Sequence, residues 1–234
     1  MTDLSREMLA LNRRAQWGEE AGPACAFTVC NVRRLPFSDG TFDLVVGFDT
    51  LHHVYEYEHG LSEIARVLKP GGLCVVKEPH RDAYRFIALI CDLLVGLDRR
   101  WLPLAGLTAS DRQRLTRWAQ HIRTLIRLEE ENDSAAVQDL DDKYYLSPRV
   151  LARRTVAAGF ARFSECNVFD TTRAFDSRPG VWYRPILLDT FRSLGISRRG
   201  LSWMERSLRS LDDAIGDRLL AHFPVNSVFL FWKG

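Results

Sequence analysis

The chain has 234 residues, of which 46% are hydrophobic and 26% charged. These values are ordinary for a globular protein and exclude disordered, collagen-like and coiled-coil chains. Its 32 basic and 30 acidic residues leave a formal charge of +2, so no strong field attracts nucleic acid or a membrane surface. The most apolar stretch, 86–97, is too short to span a membrane and contains Asp92. We therefore expect a cytoplasmic protein with no nucleic-acid or membrane partner.

The five cysteines give no sign of a disulfide framework or of a metal site. Their number is odd, none stands in a C-x-x-C pair, and none lies beside a histidine at ligand spacing. We expect buried, reduced thiols and no metal.

The N-terminal third alternates strand and helix patterns. Ser5 is placed to begin a helix that runs to about Trp17, and residues 24–30 and 43–48 are predicted strands. The second is almost wholly apolar, which is typical of a strand buried on both faces. An amphipathic helix over 58–68 ends at the glycines of KPGG, before a further strand, LCVVKE. This order predicts a parallel βαβ unit.

The rest of the chain is mostly helical. Helices are predicted at 82–98, 110–131 and 147–158, then a strand from Phe160, helices between 185 and 220, and a last strand at 226–232. We expect 79–143 to form a helical cap inserted into an α/β core made of 1–78 and 144–234. The acidic cluster from Glu129 to Asp142 is predicted to be solvated. The arginines of 110–127 are predicted to face either solvent or an anionic acceptor.

Two runs carry a family resemblance. LPFSDGTFDLVVGFDTLHHV and EIARVLKPGGLCVVKEP resemble the class I S-adenosylmethionine-dependent methyltransferases, in the small-molecule branch called methyltransferase type 11. The segment DLSREMLALNRRA and the Ala158, Gly159, Phe160 turn are similar to the same family. The resemblance implies an α/β fold with a Rossmann-like, mostly parallel sheet and helices on both faces. It also implies S-adenosyl-L-methionine as cofactor and a small-molecule methyl acceptor.

The resemblance further implies which residues bind the cofactor. Asp3, at a strand end, would accept both ribose hydroxyls, because a carboxylate offers two acceptors to a diol, and Leu4 would lie on the adenine face. Asn31 stands where the family usually has an Asp that receives the adenine amino group, with the backbone of Val32 donating to the ring. Gly47 and Phe48 would lie at the methionine end.

An acid–base residue is needed only if the acceptor must lose a proton. Candidates follow two strands and approach from the cap: His52, His53, Glu78, His80, Tyr144 and Tyr145. Among them His53, His80 and Tyr145 are the predicted catalytic residues. The alternative is that these side chains only pack or hydrogen-bond.

The family's Gly-rich loop, acidic-x-G-x-G-x-G, is not in the sequence. The fold is thus expected to be N-terminally truncated, without its first strand and most of its second, which would leave strand 43–48 with an apolar edge. Two explanations remain. In the first, Met1 is an internal methionine of a longer protein, because the sequence is a fragment or its start is miscalled. In the second, the chain is a degenerate gene product in which the family's third and fourth strands have paired anew. In both cases residues 1–234 are predicted to bind the cofactor weakly or not at all.

Two functions remain open. One is a small-molecule methyltransferase, or the larger part of one. The other is a non-catalytic remnant or partner subunit that binds no cofactor. A nucleic-acid methyltransferase is disfavoured by the near-neutral charge and by GFDTLHH standing where an N/D-P-P-Y/F motif is expected.

Overall fold

A computed structural model describes residues 1–17, 25–100, 107–131, 135–167, 183–206, 208–209 and 226–234. The strands are β1 (Thr2–Asp3), β2 (Thr28–Val29), β3 (Phe42–Phe48), β4 (Leu68–Pro79), β5 (Phe160–Asn167) and β6 (Asn226–Lys233). The helices are α1 (Arg6–Trp17), α2 (Tyr57–Val67), α3 (Arg81–Arg100), α4 (Ala109–Glu131), α5 (Pro148–Ala157) and α6 (Tyr183–Ser193). Single 3-10 turns lie at Leu51–His53 and Ala135–Val137.

The strands form two sheets. β1 and β2 pair in parallel, with Asp3 opposite Val29. The larger sheet has the order β3-β4-β6-β5. β3 and β4 are parallel, which confirms the predicted βαβ unit through α2, whereas β6 runs antiparallel to both β4 and β5. The α/β class is confirmed and the large sheet is mixed, because the last strand enters it in the opposite direction.

The helices predicted directly after β4 are present. α3 and α4 occupy the predicted helical stretch after β4 and pack on each other. The Ser5 hydroxyl accepts the Met8 N–H at 3.1 Å, so it caps α1 as predicted. The preceding helix ends at Val67 and β4 begins at Leu68, so the glycines of KPGG lie within the strand and do not end the helix as predicted. A Cβ at Gly72 would lie 2.8 Å from the Lys69 carbonyl oxygen, so the backbone of β4 requires glycine there. The predicted helices between 207 and 220 fall largely outside the described residues.

One face of the large sheet holds the core. Cys74, Val76 and Glu78 of β4 are buried and alternate with half-buried neighbours, as the period of two requires. Phe229 and Phe231 of β6 are fully buried on the same face. Side chains from α2, α3, α4, α5 and α6 join this one cluster. Burial raises the pKa of the Cys74 thiol to about 12, which keeps this thiol protonated and inert.

The other face of the sheet is apolar and partly open at β3. Leu44, Val46 and Phe48 share that face and are 52%, 48% and 64% exposed. Among the described residues β3 pairs only with β4, so it is an edge strand. The apolar edge expected from the sequence is therefore present. β2 pairs with β1 and not with β3, so the re-pairing of the third and fourth strands is not seen in the described part of the chain.

The prediction that the acidic cluster is solvated is wrong for Glu129. Its side chain is fully buried, and its carboxylate accepts the Ser147 N–H at 3.1 and 3.2 Å. The Tyr57 hydroxyl lies 3.4 Å from the same carboxylate. Burial raises the pKa of Glu129 to about 7, against the opposing effect of these hydrogen bonds and of nearby arginines.

Four of the five arginines of α4 contact other groups of the protein: Arg112, Arg114, Arg123 and Arg127. Arg112 donates to the Asp98 carboxylate and to the Leu107 carbonyl, and Arg123 pairs with Asp92. These contacts do not favour an anionic acceptor on this face. None of the described helices is both long and apolar enough to cross a membrane.

Candidate functional site

Asp3 and Asn31 follow neighbouring parallel strands. β1 ends at Asp3, and Asn31 lies two residues past its register partner Val29. The two side chains therefore lie at the same end of the small sheet. One carboxylate oxygen of Asp3 accepts the Ser5 N–H at 2.8 Å, and the amide oxygen of Asn31 accepts the Arg33 N–H at 2.9 Å. The second Asp3 oxygen makes no hydrogen bond within the described residues, so it is available to a ligand.

The other predicted cofactor residues are distributed over both sheets. Leu4 is 71% exposed beside Asp3, and Val32 packs against the core near Gly60. Gly47 and Phe48 end β3 in the large sheet. A Cβ at Gly47 would lie 3.3 Å from a methyl group of Val76, so packing against β4 already accounts for this glycine.

The loop after β3 is bounded by two strained residues. Asp49 has φ of +49° and Glu56 has φ of +51°, the left-handed region that side chains other than glycine rarely adopt. Asp49 is held by its N–H to the Lys77 carbonyl at 2.8 Å and by its carboxylate to the Lys77 ammonium at 2.6 Å. Such conformations persist where surrounding contacts enforce them, and they are frequent at ligand sites.

Glu78 fixes this loop from the end of β4. Its side chain is fully buried, and one carboxylate oxygen accepts the N–H groups of Thr50 and Leu51 at 3.0 and 2.8 Å. The other oxygen lies 2.7 Å from Nδ1 of His52 and 3.4 Å from the His52 N–H. One buried carboxylate thus binds three consecutive residues of the loop.

Glu78 also sets the tautomer of His52. A carboxylate only accepts, so the His52 Nδ1 carries the proton and Nε2 carries the lone pair in the neutral ring. The His52 side chain is only 7% exposed, and its Nε2 lies 3.7 Å from a carboxylate oxygen of Asp142. His52 Nε2 makes no hydrogen bond among the described residues.

His53 lies beside this pair and is far more exposed. Its ring is 3.9 Å from that of His52, and its side chain is 49% exposed. Nδ1 of His53 lies 3.0 Å from the Asp141 carbonyl oxygen and 3.4 Å from the Asp142 carboxylate. Of the three predicted catalytic residues, His53 is the one that solvent reaches.

His80 and Tyr145 are enclosed. Nδ1 of His80 accepts the Asp82 N–H at 3.1 Å, and Nε2 lies 3.2 Å from the Glu165 carboxylate, so both ring nitrogens are occupied. Tyr145 is 3% exposed and stacks on Tyr84 with ring centroids 3.8 Å apart. Burial raises the pKa of the Tyr145 hydroxyl far above its usual range. These contacts favour positioning and packing roles.

Asp142 is the member of the site that sequence reasoning did not single out. It lies on the segment that follows the 3-10 turn Ala135–Val137, and the Lys143 N–H donates to the His52 carbonyl at 2.8 Å. Leu146 pairs with His80, which fixes the same segment along the end of β4. Asp142 is 90 residues from His52, and no spacing rule connects them.

The residues fit the adenosine end of S-adenosyl-L-methionine by their chemistry. A free carboxylate oxygen on Asp3 suits a ribose hydroxyl, and the exposed Leu4 suits an adenine face. The small sheet and the loop that follows it carry Asp3, Leu4, Asn31 and Val32. The large sheet carries Gly47 and Phe48, and the turn after β3 carries His52.

The predicted cofactor residues lie at or near the ends of parallel strands, and open α/β proteins bind their ligands at the carboxyl ends of such strands. A family model described as "Methyltransferase domain" matches residues 1–76. Over these residues the chain is similar to the class I S-adenosylmethionine-dependent methyltransferases of the type 11 branch, which supports the resemblance found in the sequence. The cofactor of that family is S-adenosyl-L-methionine.

Curated relatives match the same part of the chain. The "Ubiquinone/menaquinone biosynthesis C-methyltransferase UbiE" of Desulfotalea psychrophila is 40% identical over 85 residues, which cover 36% of this chain and 33% of that protein. The "Demethylmenaquinone methyltransferase" of Beutenbergia cavernae is 41% identical over 76 residues, covering 32% and 29%. The chain therefore spans about a third of the length of these relatives.

Solved structures extend the likeness in fold to nearly the whole chain. The [4+2]-cyclase SpnF has a TM-score of 0.50 at 16% identity, over 99% of this chain and 64% of that one. A putative sarcosine dimethylglycine methyltransferase from Galdieria sulphuraria has a TM-score of 0.50 at 13% identity, over 100% and 68%. One is a cyclase and the other is titled a methyltransferase, so the shared fold by itself does not decide the reaction.

Proposed function

We propose that the protein is an S-adenosylmethionine-dependent methyltransferase that acts on a small-molecule acceptor. The observation that carries the proposal is the match of residues 1–76 to the methyltransferase family. Within these residues Asp3 ends β1 and Asn31 follows β2, and the two strands pair in parallel. The names of the curated relatives include C-methyltransferases of quinone biosynthesis, so an aromatic ring carbon is the acceptor class to test first.

The division of labour follows from the fold. When bound, S-adenosyl-L-methionine supplies an electrophilic methyl group on a sulfonium. Asp3 binds the ribose, Asn31 and the Val32 backbone bind the adenine, and Leu4 covers its face. The ends of β3 and β4 orient the acceptor, and the helices of 79–143 form a cap that selects it. The core then consists of 1–78 and 144–234.

His53 is the proposed acid–base residue. Its exposed ring takes a proton from an acceptor such as a phenol, while Asp142, 3.4 Å from Nδ1, stabilises the charged ring. His80 and Tyr145 act as positioning residues, since their polar atoms or rings are engaged by Asp82, Glu165 and Tyr84.

A longer form is part of this proposal. Among the described residues β3 is an edge strand, which supports a further strand that pairs there, and its exposed apolar face of Leu44, Val46 and Phe48 supports a further element that covers it. We expect the in-frame codons upstream of Met1 to encode a strand and a Gly-rich turn about 25 residues before Asp3, the spacing of a βαβ unit. A stop codon immediately upstream, with a ribosome-binding site before Met1, would refute this part.

The alternative is a non-catalytic remnant or partner subunit that binds no cofactor. The missing Gly-rich loop favours it, because small residues there let the backbone approach the cofactor.

Equilibrium titration of residues 1–234 with S-adenosylmethionine separates the two functions. The methyltransferase proposal expects weak, saturable binding, with a Kd of about 0.1–1 mM, that Asp3→Ala weakens and the surface control Asp189→Ala does not. If neither this chain nor the upstream-extended form shows saturable binding, the protein is the non-catalytic remnant or partner subunit.

A further inference from the structure

We propose that His52, His53 and Asp142 form a binding site for a divalent first-row transition metal ion, Zn²⁺ being the reference case. This site rests on its own geometry and not on the proposed methyl transfer. One ligand atom from each of the three side chains lies within 4.8 Å of the other two. The three residues come from two separate parts of the chain, the turn after β3 and the segment that follows the 3-10 turn Ala135–Val137.

Two of the three distances between the ligand atoms are close to those around a coordinated ion. Zn²⁺ bonds imidazole nitrogen and carboxylate oxygen at about 2.0–2.2 Å, so neighbouring ligand atoms of a tetrahedral site are about 3.4 Å apart. The Asp142 oxygen lies 3.4 Å from His53 Nδ1 and 3.7 Å from His52 Nε2. The second distance exceeds a hydrogen bond, and a shift of a few tenths of an ångström brings it to coordination distance.

His52 is already prepared as a ligand. Metal-binding histidines usually donate their other ring N–H to a carboxylate, which fixes the tautomer and raises the basicity of the ligating nitrogen. The Glu78 carboxylate, 2.7 Å from Nδ1, provides this partner and is itself held by the Thr50 and Leu51 N–H groups. The Nε2 of His52 lies 3.7 Å from a carboxylate oxygen of Asp142 and has no hydrogen-bond partner in the described structure.

Lys143 follows Asp142 in the chain but does not pair with its carboxylate. The Lys143 ammonium donates to the carbonyls of Val137, Gln138 and Leu140, so it does not neutralise Asp142. Binding at His53 Nδ1 replaces the hydrogen bond to the Asp141 carbonyl. With the ion bound, His53 is a ligand and not a base.

The ligand set selects the class of ion. Two imidazoles and one carboxylate suit Zn²⁺, Fe²⁺ or Co²⁺, whereas Mg²⁺ and Ca²⁺ prefer oxygen ligands. Three protein ligands leave a fourth position for water or an oxygen of a bound molecule.

The test is titration of the chelator-stripped, full chain with Zn²⁺ alone by calorimetry, and with Co²⁺ alone by visible spectroscopy. We expect one ion per chain and a tetrahedral Co²⁺ spectrum without a thiolate charge-transfer band. Asp142→Asn and His53→Ala remove exposed ligands and should each weaken binding at least 30-fold. His59→Ala, at a 62% exposed ring outside the cluster, is the matched control and should bind as the original chain does.

Three results would overturn the inference: no stoichiometric binding, binding that Asp142→Asn and His53→Ala leave unchanged, or a Co²⁺ spectrum with thiolate ligation. Circular dichroism of each variant confirms that the fold is retained. The readout is metal affinity, so failure of the methyltransferase proposal does not affect it.

Discussion

Replacing Glu78 with Ala should lower the free energy of unfolding more than replacing a surface Asp or Glu with Ala. The substitution removes acceptors for the Thr50 and Leu51 N–H groups and for His52 Nδ1, at 3.0, 2.8 and 2.7 Å. Each hydrogen bond to a charged group contributes about 1.5–3 kcal/mol, and buried donors left without partners carry their desolvation cost. The sum is roughly 5 kcal/mol, comparable to the whole stability of many domains.

Urea unfolding measures this loss. With a denaturant slope of about 2.5 kcal/mol/M, the midpoint should fall by about 2 M. Glu78→Gln keeps one acceptor oxygen and should lose about 1–2 kcal/mol. Glu130→Ala is the control, because its ion pairs with Arg81 and Arg85 lie at the surface, and such pairs contribute less than about 1 kcal/mol. Equal midpoints for Glu78→Ala and Glu130→Ala would refute the assignment of Glu78 as the residue that fixes the loop.

Three further outcomes are expected. Burial raises the pKa of Glu129 from 4.5 to about 7, so its protonation should contribute about 3 kcal/mol to the free energy of unfolding below pH 4.5, and this contribution should be lost as the pH rises through 7. Urea midpoints between pH 5 and 8 measure the loss. A Glu129→Gln protein whose midpoint falls with pH as steeply as that of the original chain would contradict the prediction. Asp3→Ala should lower affinity for the cofactor at least about tenfold in an upstream-extended chain, while Asn31→Asp should leave it equal or improve it; titration showing the reverse pattern would mean that the site is misplaced. The exposed edge strand β3 should let the chain self-associate in sedimentation experiments. Val46→Lys should reduce this association because a charge opposes edge pairing, and an unchanged distribution would exclude this edge as the contact.

The sequence alone determined the local elements. The Ser5 cap of α1 and the periodicity of α2 and α4 depend on residues a few positions apart, and these helices lie where the patterns predict them. The order strand, helix, strand likewise predicted that β3 and β4 form a parallel unit connected by α2. The family resemblance added Asp3 and Asn31, which the paired β1 and β2 bring to one end of a sheet.

Tertiary structure decided which polar side chains meet. His52 and Glu78 are 26 residues apart, and Asp142 is 64 residues beyond Glu78, so no local rule predicts their cluster. Glu129 reads as one more exposed acid in a charged stretch, yet it is buried because Ser147 and Tyr57 supply hydrogen bonds from distant segments. Burial and hydrogen-bond partners set the chemistry of an ionisable group, and both depend on segments that only the folded chain brings together.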